Sequence, residues 1–192
     1  AQRVNNKGIA MKQIVQEMVN LCAKGKNFAL ATVITRNGSA PRSTGAKMLI
    51  KENGGSVGTV GGGALEAQVL QLALKMIGER HAVIQTFRFN GIDATTMDAI
   101  CGGQVEVLLE WIDCEDHRTV TIIQGLQDAI NQHRKAWLVT NFQEWKTGTT
   151  HTFIQPDGRV TGDLPQGMMV EAIIKTRLPG LVHLVPLPSA RS

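Results

Sequence analysis

The sequence predicts a mixed α/β (α+β) fold: two related halves of helix, strand, hairpin, helix and strand, built on mixed sheets. Three observations lead there. Apolar stripes at helical spacing alternate with short β-rich runs. Two tight-turn signals, "ENG" and "PDG", sit between such runs. The same order of elements occurs twice along the chain.

Each element follows from its residues. Met11, Ile14, Val15, Met18, Leu21 and Cys22 form one apolar helical stripe, and Gly25 supplies the stop. "FALATVITR" (28–36) reads as a strand with a buried first half. "NGSAPRSTG" (37–45) is too rich in Gly, Ser, Pro and Thr to be anything but a loop. "AKMLIK" and "GSVGTV" are strands joined by "ENG". "GGG" (61–63) then opens a helix with Leu65, Val69, Leu72 and Met76 on one face. Residues 81–89 alternate as a strand, 90–100 are irregular, and "GGQVEVLLEWI" is a further strand.

The order then restarts. Residues 118–133 form an amphipathic helix through Val120, Ile123, Leu126 and Ile130. "KAWLVTNF" is a strand, "THTFIQPDGRVTG" a hairpin, "MMVEAIIKT" a helix and "LVHLVPL" an extended run. Leu30 corresponds to Leu138 and Gly55 to Gly158, as an internal duplication would give. The second copy has "QEWKTG" for the long loop and "TGDLPQG" for "GTVGGG". Special chemistry is therefore expected in the first half.

Composition limits the function classes. The chain has 192 residues, 43% hydrophobic and 19% charged, with a net charge of +4. That is ordinary for a globular protein. No run reaches the roughly 18 apolar residues of a membrane helix. The first residues, "AQRVNNKGIAMKQ", hold no signal-peptide core, so the expected location is the cytoplasm, with no membrane partner. Aromatics are 4%, Tyr is absent and the basic residues are scattered, so no nucleic-acid partner is expected. A small anionic ligand suits the charge better.

The three cysteines are Cys22, Cys101 and Cys114. An odd number in a cytosolic setting speaks against a disulfide framework. No CxxC occurs and no histidine has ligand spacing to a cysteine, so a structural zinc site is not expected. Cys22 reads as core and Cys114, between Asp113 and Glu115, as a bystander.

Three loops could carry chemistry. "GSAPRSTGAK" offers Gly38, Ser39, a stiffening Pro41 and the guanidinium of Arg42, with Lys47 on the next strand. That suits an anion, although a surface turn with an incidental arginine is the stronger reading of this loop alone. "GTVGGGALE" runs a strand into Gly61, Gly62 and Gly63 and then a helix. Bare amides at a helix N-terminus suit an anion. It is neither a Walker loop nor a GxGxxG. Glu66, in the first turn, is at least as well explained by helix-terminus stabilisation as by catalysis. "AICGGQVEV" places Cys101 before Gly102 and Gly103. A reactive thiol and a small residue at a tight strand entry stand level there.

Taken together, "GSAPRSTGAKML", "GSVGTVGGGALE" and "ICGGQVEVLLE", in that order, resemble the XdhC/CoxI family of xanthine dehydrogenase accessory proteins. The resemblance covers residues 11–113 well and 114–187 loosely. It implies a cofactor-handling half (11–113) followed by a degenerate second half (118–187). Family members commonly continue into a Rossmann-like domain, which is expected to be absent from this chain.

The resemblance implies a non-enzymatic chaperone. Such a protein binds the molybdenum cofactor (molybdopterin) transiently, supports its sulfuration with a cysteine desulfurase, and delivers it to a molybdenum hydroxylase apoenzyme. Such hydroxylases include xanthine dehydrogenase and carbon monoxide dehydrogenase. By motif position the cofactor-binding residues would be Gly38, Ser39, Pro41, Arg42, Gly61, Gly62, Gly63, Glu66, Cys101, Gly102 and Gly103. Cys101 would be sulfur relay or molybdenum ligand. A homodimer is compatible. Two alternatives stay open: a thiol enzyme using Cys101 as nucleophile or persulfide relay, and a docking adaptor that binds no cofactor.

Overall fold

The structure is a computed structural model that describes residues 6–37, 44–77, 79, 81–88, 104–164, 167, 169–171 and 181–183. The elements run α1 (Asn6–Ala23), β1 (Phe28–Asn37), β2 (Lys47–Lys51), β3 (Ser56–Gly58), α2 (Gly63–Met76), β4 (Val83–Arg88), β5 (Gln104–Ile112), α3 (His117–Asn131), β6 (Trp137–Asn141), β7 (Thr150–Ile154), β8 (Val160–Gly162) and β9 (Leu181–His183). The mixed helix-and-sheet class is as the sequence predicts. Of the helix expected at 168–176, Val170 and Glu171 are helical and most of the rest lies outside the described residues.

The chain forms two compact units, Phe28–Ile112 and a second one made of Ala1–Asn27 with Asp113–Ser192. The expected halves ran consecutively. Instead α1 belongs with the later elements, because its apolar stripe packs on α3: Met11 and Val15 share a core with Ile122, Leu126, Ala129, Ile130, Leu138 and Phe153. The first unit is thus inserted between Asn27 and Asp113.

The inserted unit is a five-stranded sheet in the order β3-β2-β1-β5-β4. Every pairing in it is antiparallel. Mixed sheets were expected from the sequence, and a helix joining two strands usually gives a parallel neighbour pair. Here α2 carries the chain from one edge strand, β3, to the other, β4. Those strands run the same way and are never neighbours. The helix crosses one sheet face and buries Leu65, Val69, Ala73 and Met76 against Ala29, Ala31, Val33, Met48, Ile50, Val105, Val107 and Leu109. The alternate residues Phe28, Leu30, Leu49 and Leu108 are buried too. Strands buried on both faces read as continuous apolar runs, as "KMLIK" and "VEVLLEWI" do.

The second unit has a four-stranded antiparallel sheet, β8-β7-β6-β9. The meander β6-β7-β8 repeats β1-β2-β3, and β9 occupies the place beside β6 that β5 holds beside β1. The topology therefore repeats, with β4 extra in the first sheet.

Local signals account for the element ends. Gly25 (φ 61) ends α1 in a Schellman arrangement: Lys26 N–H donates to Leu21 O and Gly25 N–H to Cys22 O. Asp116 caps α3 by accepting from the N–H groups of Arg118 and Thr119. The Thr119 hydroxyl, foremost among these hydrogen bonds, holds the Asp116 carboxyl below its usual range.

One expectation about the cysteines is overturned. Cys22 and Cys114 form a disulfide, with Cα atoms 4.8 Å apart. Parity and composition speak only about disulfide frameworks. The pairing arises from topology, because the chain leaves the second unit and returns to it at neighbouring points, where Phe28 pairs with Ile112.

Candidate functional site

The register of the five-stranded sheet brings the strand ends that lead into the three motif-bearing segments to one end of it. β1 ends at Asn37, paired with Gln104, the first residue of β5. β2 begins at Lys47, paired with Thr32. β3 ends at Gly58, paired with Met48, and Thr59 N–H donates to Lys47 O at 2.9 Å. Residues 38–43, 59–63 and 101–103 are therefore all attached to the same sheet end. A bulge in β1 between Val33 and Thr35 lies on the approach to it. Bulges of this kind re-aim side chains next to sites.

Of the candidates, Gly61, Gly62, Gly63 and Glu66 are described. Gly38, Ser39, Pro41, Arg42, Cys101, Gly102 and Gly103 lie outside the described residues, and only the strand ends that carry them are placed.

The glycine turn differs from a row of bare amides. Gly61 N–H donates to Thr59 Oγ1 at 3.1 Å. Gly62 N–H donates to Glu66 Oε1 at 3.0 Å. The Thr59 hydroxyl donates to the same carboxylate oxygen. Two amides are thus engaged, and a carboxylate stands where an anion was expected. Gly62 has φ 84, and a Cβ built on it would meet nothing within 4 Å. The turn needs a left-handed residue there and presents an open surface. Its exposed chemistry is acceptor-rich, through Thr59 and Glu66.

Sequence reasoning gave no role to a second polar cluster in the same unit. Lys47 and Thr32 lie opposite each other on the sheet face away from α2, with Glu110 on the same face. All three are buried, at 4%, 0% and 1% exposure respectively. Lys47 Nζ donates to Thr32 Oγ1 at 2.7 Å. Burial lowers the Lys47 pKa from 10.5 to about 8, against the raising influence of the Glu110 carboxylate. The pair sits at the stem of the 38–43 segment: beyond the Thr32–Lys47 rung, Val33 N–H reaches Ala46 O and Gly45 N–H reaches Val33 O. A signal was present, because each charge interrupts an apolar run, "KMLI" and "VLLEWI".

Among the described residues, no three His, Cys, Asp or Glu side chains cluster as a metal site would require. No described helix is long and apolar enough to cross a membrane.

Comparison with known proteins follows the same segment. The sequence model of the XdhC and CoxI family matches residues 21–90. The Escherichia coli protein YqeB, described as uncharacterized, is 36% identical over 98 residues, which is 50% of this chain and 18% of YqeB. The Escherichia coli protein PaoD, described as a molybdenum cofactor insertion chaperone, is 36% identical over 67 residues, 35% of this chain and 21% of PaoD. The matches thus span about a fifth of each relative's length. A crystal structure of a Bacillus halodurans protein described as a xanthine dehydrogenase superposes with a TM-score of 0.69. It covers 91% of this chain and 53% of that one at 24% identity, so it shows a shared fold.

Proposed function

Residues 21–90 are an XdhC and CoxI family segment, and from that premise we propose that the chain acts in the maturation of a molybdenum hydroxylase, by binding the molybdenum cofactor and handing it to the apoenzyme. The observation that carries this is the convergence of three motif-bearing strand ends on one end of the inserted sheet. PaoD, 36% identical over 67 residues, is named for cofactor insertion.

The described residues fit part of the cofactor well. Thr59 and Glu66 are acceptors beside the open surface at Gly62. A pterin presents amino and ring N–H donors on a flat ring, and such a ring needs acceptors and close backbone approach. Because the turn's amides at Gly61 and Gly62 are engaged, the phosphate falls to Arg42, whose planar guanidinium suits it. Cys101, the cysteine not committed to the Cys22–Cys114 bond, is assigned by its chemistry to the molybdenum–sulfur end, as ligand or as sulfur carrier from a cysteine desulfurase. When bound, the cofactor supplies the oxo and sulfido molybdenum centre that the hydroxylase uses. The chain's own part is to hold pterin and phosphate, with Glu66 as an acceptor, and to release the whole group intact.

The test pairs two readouts. Cys101→Ser is compared with wild type for cofactor retention and for activation of a partner apo-hydroxylase. Loss of activation, with or without loss of retention, is the expected result. Wild-type behaviour in both removes Cys101 from the mechanism.

A further inference from the structure

Cys22 lies in the last turn of α1, and Cys114 follows β5 directly after Asp113. Their bond joins positions 92 residues apart, and the whole Phe28–Ile112 unit lies within the loop that it closes. The chain enters that unit once and leaves it once. The disulfide ties these two passages together just outside the unit.

Non-covalent contacts mark the same neck. Cys114 N–H donates to Asn27 Oδ1 at 2.8 Å, and Phe28 pairs with Ile112 at the first rung of the sheet. Hydrogen bonds thus hold the same neck beside the S–S bond. The two sulfurs differ in access: Cys114 is buried at 6% exposure, whereas Cys22 is half-buried. A thiolate from solution can reach the Cys22 side.

We propose that Cys22–Cys114 is a reversible redox latch on the neck of the inserted unit, closed when oxidised and released by cellular thiols. In release, an external thiolate attacks Cys22 Sγ, the S–S bond breaks, and Cys114 leaves as a thiolate and takes up a proton. A second external thiol then attacks the mixed disulfide and frees Cys22. Two electrons and two protons enter the protein, and two monothiols, or one dithiol, leave as a disulfide. Closing is the reverse, with a small-molecule disulfide as oxidant. Where thiols are kept reduced, a bond of this sort works as a sensor and not as a permanent staple. The latch does not depend on what the inserted unit binds.

The experiment uses the intact chain. Protein purified without reductant is alkylated after denaturation and weighed, then equilibrated with reduced and oxidised glutathione at millimolar total concentration. One of the three cysteines should label in the oxidised form and all three in the reduced form. Reduction should lower the Tm by on the order of 10 °C, since the bond closes a long loop. Amide exchange should quicken around residues 24–28 and 112–116, and reoxidation should restore both. Cys22→Ser with Cys114→Ser should copy the reduced state and ignore glutathione. If that variant fails to fold, chemical reduction of the wild type gives the same reading. The latch is overturned if the bond does not form, if glutathione leaves it intact until the protein is denatured, or if reduction leaves Tm and exchange unchanged.

Discussion

Lys47 carries an ammonium into a space that leaves 4% of the residue exposed. Desolvation is the larger influence on it, and Glu110 the compensating one. With a folded pKa of about 8 and an ordinary value of 10.5, the unfolded chain holds a proton that the folded chain has released between those pH values. Stability from this group therefore rises with pH across that window and is lost as pH falls back through 8. The wild type should gain up to about 3 kcal/mol relative to Lys47→Met between pH 8 and 10.5. Denaturant unfolding of both proteins at several pH values checks it. In Glu110→Gln the raising influence is gone, so the window should open at lower pH. Glu66 is the other residue with a definite expectation. Its carboxylate takes bonds from Gly62 N–H and the Thr59 hydroxyl. Glu66→Ala should cost about 1 kcal/mol, as loss of a helix cap does. Glu66→Gln, which keeps an acceptor, should cost less by the same unfolding assay. If pterin binding then falls in Gln as well as Ala, the charge itself contacts the ligand.

Among the elements, the hairpins show what a sequence can and cannot state. "ENG" and "PDG" turn where they should, because Gly54 and Gly158 take the positive φ such turns demand. The helices were legible from apolar spacing: Leu65, Val69 and Met76 are buried as read, with Ala73 completing the stripe that Leu72 only borders. Antiparallel pairing throughout was not legible, since nothing local to α2 says that it spans the sheet from edge to edge. Nor was the role of Gly162, which closes β8. A Cβ there would sit 2.2 Å from His151 O, at φ 97. Backbone cannot give way as a side chain can. Gly162→Ala should destabilise the protein by about 3 kcal/mol, combining left-handed strain and overpacking. A thermal melt checks it, and an unchanged Tm would mean that β7 and β8 shift freely. At the site, the glycine turn was legible as a turn, while Thr59 and Glu66 filling its amides was not. Which N–H a carboxylate reaches depends on a backbone path that spacing does not encode.

Across the whole molecule, the Phe28–Ile112 unit is inserted in sequence into a second unit that holds the disulfide. The repeated β-meander gives both units one topology, while the three special segments belong to the inserted sheet alone. On the proposed function, binding belongs to the inserted unit. The chain should therefore carry cofactor by virtue of the Arg42, Gly61–Gly63 and Cys101 segments together. The most direct measurement is the molybdenum and pterin content of the intact chain purified after co-expression with a molybdenum-cofactor synthesis pathway. Wild type should co-purify with both, and Arg42→Ala should lose most of each while keeping its Tm. A folded wild-type protein free of molybdenum and pterin fluorescence, alongside a control carrier loaded in the same cells, would contradict cofactor binding.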